Sequence, residues 1–220
     1  MSVCFPHMAS DCKKTKHVIG LCGAPGAGKS TVAGILRDLG CLVLDADAMA
    51  QIALEMPDVK RQLLQRWGTE SFLPDGKPDR LWLGKKIFAE PGERFWLESL
   101  IHPLVRASRN QARCQAFARK DVVAIVEDCP LLFEKGLDAQ CDATLFVDAP
   151  LAARQNRVAA TRNWSPQELA FREKAQWPLD TKRARSDYVL VNDAGFDGLR
   201  QQAVQALGLI LASPLSPRNG

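Results

Sequence analysis

Gly23-Ala24-Pro25-Gly26-Ala27-Gly28-Lys29-Ser30, followed by Thr31, sets two glycines five positions apart ahead of a lysine and a hydroxyl residue. That spacing suits phosphate chemistry. Glycines permit left-handed turns and let main-chain N–H groups approach phosphate oxygens with no side chain between. Lys29 would reach the β- and γ-phosphates as a point charge, and Ser30 would give its hydroxyl to Mg²⁺. Such a loop needs a strand before it and a helix after it, because an anion sits well at a helix N-terminus. His17–Cys22 reads as a short buried strand, and Val32, Ile35, Leu36 and Leu39 recur at i, i+3, i+4, i+7. The stretch predicts a nucleoside triphosphate site.

Gly40 suits the end of that helix, and Cys41–Asp45 reads as a second strand that runs into Asp45-Ala46-Asp47. A strand, helix and strand in so short a span predict a βαβ unit, an α/β fold and a parallel sheet. Ligands of such sheets lie beyond the carboxyl ends of the strands, where Asp45 and Asp47 are expected. Val122–Val126 reads as a central strand ending at Glu127-Asp128; a carboxylate there would organise Mg²⁺ or cap a turn. Further strands are expected at Ala143–Asp148 and Tyr188–Asn192. Leu199, Ala203, Leu207 and Ile210 mark a closing helix.

Residues 48–120 show helical spacing and no convincing strand, so they read as a helical insertion suited to a second substrate. Trp67, Trp82 and Trp96 fit a core better than a base-stacking role, and His102 fits a structural role. Arg154, Arg157, Arg162, Arg172, Lys174, Lys182, Arg183 and Arg185 crowd the region 151–185. Ser165-Pro166-Gln167-Glu168 is a capping box, so 151–176 reads as a helical hairpin. Beside a nucleotide site, that basic hairpin is expected to be a lid rather than a solvated face.

The 220 residues are 46% hydrophobic and 25% charged, with a net charge of +4, and suit one globular core with inserted pieces. No dense Lys/Arg run interleaves with aromatics, so nucleic acid is not implied. The seven cysteines lack paired spacing, which argues against a zinc site; they are expected to be reduced and mostly buried. Neither a secretory leader nor a membrane span is expected, and the reading is a cytoplasmic protein, monomeric or weakly self-associating. Residues 1–16 are expected to form a flexible extension, 17–212 the domain, and 213–220 a disordered tail.

From His17 to about Leu207 the chain resembles dephospho-CoA kinase, a family of P-loop small-molecule kinases. The resemblance rests on GAPGAGKST, LGCLVLDADAMA (39–50), DGKPDRLWLGKKIFAEP (75–91), LIHPLVR (100–106), PLLFEKGLD (130–138) and QWPLDTKRARSDYVLVN (176–192). It implies the three-layer P-loop fold, with a helical acceptor insertion and a lid. It also implies transfer of the γ-phosphoryl of Mg-ATP to the ribose 3′-hydroxyl of dephospho-CoA. Asp47 matches the general base, and Lys29 acts with it in catalysis. Gly26, Ala27, Gly28, Lys29, Ser30 and Thr31 match the ATP phosphate contacts, Arg157 and Arg162 the lid, and Asn192 a position near adenine. His102, Leu132 and Glu134 fall on the acceptor side with Asp47, and Ser30 and Asp128 on the metal. The step from Arg157 to Arg162 is one residue longer than the family's usual lid spacing. Two rivals are a kinase for a nucleoside monophosphate or sugar acid, and a nucleotide-dependent switch. The second lacks support, since neither Asp-x-x-Gly nor Asn-Lys-x-Asp occurs.

Overall fold

The computed structural model describes residues 12–215. The chain divides into two compact units, one formed by residues up to Leu44 together with those from Arg113 onward, the other Asp45–Ala112. The first holds a five-stranded sheet. Its strands are β1 (Val18–Gly23), β2 (Leu42–Asp45), β3 (Ile125–Asp128), β4 (Ala143–Asp148) and β5 (Tyr188–Val191), in the order β2-β3-β1-β4-β5. β1 pairs in parallel with β3 (Ile19 opposite Val126) and with β4 (Leu21 opposite Leu145); β4 pairs in parallel with β5. All six residues of β1 are buried, as a central strand covered on both faces requires. The expected strand at 122–126 is displaced toward its carboxyl end. Val123 and Ala124 already bond to Gly40 and Leu42, but the strand proper carries Glu127 and Asp128 within it.

Helix α1 (Lys29–Asp38) follows the glycine loop, and α9 (Gly195–Ala212) closes the fold. Val32, Ile35 and Leu36 of α1 and Leu199, Ala203, Leu207 and Ile210 of α9 share one core with Ile19, Leu21, Val126, Leu145 and Leu190. Beyond β4 come α6 (Leu151–Arg162), α7 (Pro166–Lys174) and α8 (Leu179–Arg185). Ser165 caps α7, its hydroxyl accepting from the Glu168 N–H at 3.1 Å, as the capping-box spacing predicts.

The second unit contains α2 (Ala46–Leu54), α3 (Pro57–Trp67), α4 (Arg80–Ala89) and most of α5 (Pro91–Ala118). Its core gathers Ala53, Val59, Leu63, Leu83, Leu97 and Ile101. Trp67 meets Trp82 and Trp96 edge to face at 5.8 and 4.9 Å, which places the three indoles in packing.

One expectation is corrected: the described cysteines are not all reduced. Cys12 and Cys114 form a disulfide across 102 residues of sequence, with Cα atoms 5.5 Å apart. Spacing along the chain could not reveal a pair that only folding brings together. Cys22, Cys41, Cys129 and Cys141 are buried and not joined in disulfides, and Cys4 lies outside the described residues. Of the expected extension, residues 12–16 are held further by an ion pair from Lys14 to Asp142 at 2.5 Å and a bond from the Thr15 hydroxyl to the Phe117 carbonyl. Residues 1–11 and 216–220 lie outside the described residues. Among the described residues, no helix is long and apolar enough to cross a membrane.

Candidate active site

Strand β1 is where the chain order of the sheet reverses: β2 and β3 lie to one side, β4 and β5 to the other. The crevice beyond such a strand is the ligand position of an open parallel sheet, and the glycine loop starts there. Gly28 holds φ at 98°, and a Cβ on it would collide with the Asn192 amide nitrogen. Gly26, at φ 77°, lies so close to α6 that a Cβ would meet Val158 Cγ1 at 2.8 Å and the Arg154 carbonyl at 2.9 Å. Both positions therefore demand glycine.

Two side chains hold the carbonyls of this loop. Asn192 Nδ2 donates to the Ala27 carbonyl at 2.8 Å. Arg157 donates to the carbonyls of Gly26 (3.4 Å), Ala27 (3.3 Å) and Asn192 (3.1 Å). At the start of α1 no side chain caps the helix and no acidic residue sits in its first turn. The positive end of the helix is thus left to an anion. Lys29 Nζ is paired with Asp128 Oδ1 at the end of β3, a buried carboxylate 6% exposed; Ser30 and Thr31 are exposed on the first turn.

Asp45 ends β2 and caps α2, its carboxylate accepting from the N–H groups of Asp47 and Ala48, both at 2.9 Å. Asp47 therefore lies in the first turn of α2. Its carboxylate is exposed and takes no hydrogen bond among the described residues. His102 is exposed on α5.

The basic cluster divides into separate jobs. Arg154, buried on α6, bonds the Ala149 carbonyl and pairs with Glu173 of α7, tying the two arms of the hairpin. Arg162 and Arg172 lie over the Trp164 ring at 4.7 and 4.0 Å. Arg183 pairs with Asp148 at 2.7 Å. Lys182 is fully buried, donating to the Pro130 carbonyl and Gln176 Oε1 at 2.8 Å and pairing with Glu134 at 2.7 Å. Glu134 also accepts the Trp177 N–H at 2.8 Å, and Trp177 stacks on Phe133. Leu132 is wholly buried, its methyls where a Cβ on Gly20 would be. The Pro130–Glu134 and Gln176–Leu179 stretches thus meet through Lys182, an inward lysine in a run that reads from sequence as a basic surface. Nothing in its immediate neighbours distinguishes it from the arginines around it.

Among the described residues, no cluster of three His, Cys, Asp or Glu could cage a metal. Ser30 and Asp128 carry oxygen donors of the kind Mg²⁺ takes, one or two from protein with phosphates and water completing the shell.

Comparison with known proteins matches residues 17–197 to the dephospho-CoA kinase family. A dephospho-CoA kinase of Syntrophotalea carbinolica is 35% identical over 202 residues, 91% of this chain and 95% of that protein. The crystal structure of TT1252 from Thermus thermophilus superposes with a TM-score of 0.76 at 36% identity, covering 91% of this chain and 100% of the other. The dephospho-CoA kinase of Campylobacter jejuni shares the fold with a TM-score of 0.62 at 21% identity over 89% of this chain and 98% of its own. With a family match across most of its length and a relative at this identity, the chain belongs to the dephospho-CoA kinase family.

Proposed function

We propose that this kinase moves the γ-phosphoryl group of Mg-ATP onto the ribose 3′-hydroxyl of dephospho-CoA, giving CoA and ADP, with the roles that follow. The observation that carries the reading is the loop from β1 into α1. Its carbonyls are held by Asn192 and Arg157, and Lys29 stands against Asp128 at its mouth, in a chain of this family. The loop N–H groups and Lys29 bind the phosphates. Asp47 orients the acceptor hydroxyl and takes its proton as the oxygen attacks phosphorus. As that bond forms, the bond from the γ-phosphorus to the bridging oxygen breaks, and ADP leaves in line with the attack. Ser30 and Asp128 would hold Mg²⁺, which would supply charge neutralisation on the phosphates. Lys29 and the hairpin arginines balance the negative charge on the transferring group. Arg157 and Asn192 act on the nucleotide through the loop they hold.

Glu134 and Leu132 shape the acceptor side as an anchored frame, and His102 is assigned to it on the same family correspondence. A cytoplasmic setting, where Mg-ATP is abundant, belongs to this reading. The test is ADP release from Mg-ATP by the purified protein, alone and with dephospho-CoA, AMP, CMP or gluconate. Stimulation by dephospho-CoA alone, with CoA formed in step with ADP, is the expected result. Stimulation by another acceptor would discard the substrate assignment, and release indifferent to acceptor would discard the transferase reading.

A further inference from the structure

Trp164 stands at the turn of the α6–α7 hairpin with a guanidinium from each arm upon it. Arg162, from the end of α6, lies 4.7 Å from its ring centroid, and Arg172, from α7, lies 4.0 Å away. Two like charges converge on one side chain, at separations where each is attracted to the ring face. Arg172 also pairs with Glu168 at 3.0 Å, whereas Arg162 meets no carboxylate among the described residues.

The place of this trio is set by the loop. Arg154, Val158 and Arg162 follow at i, i+4, i+8 and share one face of α6. A Cβ on Gly26 would meet the Arg154 backbone and the Val158 side chain, so this stretch of α6 runs beside the loop, and Arg162 lies one turn further on, about 6 Å along the axis. Asn163 then takes the left-handed conformation at φ 54°, and the Trp164 N–H bonds the Val158 carbonyl at 3.3 Å. Trp164 is thereby seated on the residue that abuts the glycine loop. A cation–π contact uses the face of a guanidinium, so the ring leaves the N–H edge of Arg162 to donate, while the edge of Arg172 already donates to Glu168.

We propose that Trp164 is a positioning residue for phosphoryl transfer: it holds Arg162 and Arg172 as a pre-ordered pair for the nucleotide phosphates. The inference rests on the kinase reading, which the wild-type assay tests separately. The experiment is steady-state kinetics of Trp164→Leu and Trp164→Phe, each made in the wild type and in an Arg162→Ala, Arg172→Ala background. Trp164→Leu is expected to lower kcat/KM for ATP about five- to thirtyfold, the range that two cation–π contacts span. KM for dephospho-CoA should stay where it is, and Trp164→Phe should recover most of the loss. In the background without both arginines, Trp164→Leu should change nothing further. Wild-type kcat/KM in Trp164→Leu, an increase, an equal loss without the arginines, or no recovery with phenylalanine would each overturn the proposal. Should Trp164→Leu fail to fold, Trp164→Phe against Trp164→Met makes the same comparison.

Discussion

Asp47 and the buried thiols are two extremes of side-chain environment in this protein. The Asp47 carboxylate is exposed, while its backbone N–H is fixed by the Asp45 cap. The residue is therefore placed by a helix start, with its carboxylate open to solvent. Asp47→Asn should lower kcat by about 10²–10⁴-fold, the usual share of a general base, and leave ATP affinity near wild type; calorimetric titration beside turnover checks both. The cysteines behave oppositely. Burial pushes the thiols of Cys22 and Cys141 up to about 12 and that of Cys41 to about 11, from 9.0. Their folded values lie above the unfolded one, so they stay protonated in the fold, and their contribution to stability is lost as pH rises from about 9 toward those values. At about pH 8, native protein should leave all three unmodified by a thiol reagent that labels them fully after denaturation. Peptide mapping gives the answer.

At the scale of elements, the glycine loop keeps its shape through residues that enter from far along the sequence. Asn192, just past β5, and Arg157, in α6, bond carbonyls of a loop more than a hundred residues earlier. Asn192→Ala removes the donor to the Ala27 carbonyl and should raise KM for ATP several-fold, with little change in KM for dephospho-CoA. If the two constants move together, the side chain does more than hold the loop. The hairpin has a local determinant instead. Ser165→Ala deletes the α7 cap and should cost about 1 kcal/mol of stability, read as a lower denaturant midpoint. The helix α7 itself was legible because a capping box acts within four residues. The split of the arginines among Glu173, Trp164 and Asp148 was not, because each partner is set by packing between helices.

On the scale of the whole molecule, the Cys12–Cys114 bond closes the longest covalent loop among the described residues and ties the chain start to the end of α5. Long loops gain most from closure, so Cys114→Ser should cost about 2–4 kcal/mol in oxidised protein and nothing in reduced protein. Urea unfolding with and without reductant separates the two cases. Equal curves for wild type and variant without reductant would show that the bond does not form in solution.

Local chemistry was enough to read the phosphate loop and the βαβ start, because glycine spacing, helical periodicity and caps act over a few residues. The family was read from the resemblance of its motifs. The placing of Asp45 and Asp47 where a strand ends also followed from short-range pattern, whereas the capping of their helix by Asp45 did not. What required the folded chain was every pairing across it. Lys29 meets Asp128 only because β3 lies beside β1, and Lys182 points inward only because Glu134, Gln176 and the Pro130 carbonyl surround it. A lysine in a basic run is a surface charge by sequence. It becomes a buried strut when the sheet order brings its acceptors together and satisfies its charge away from water.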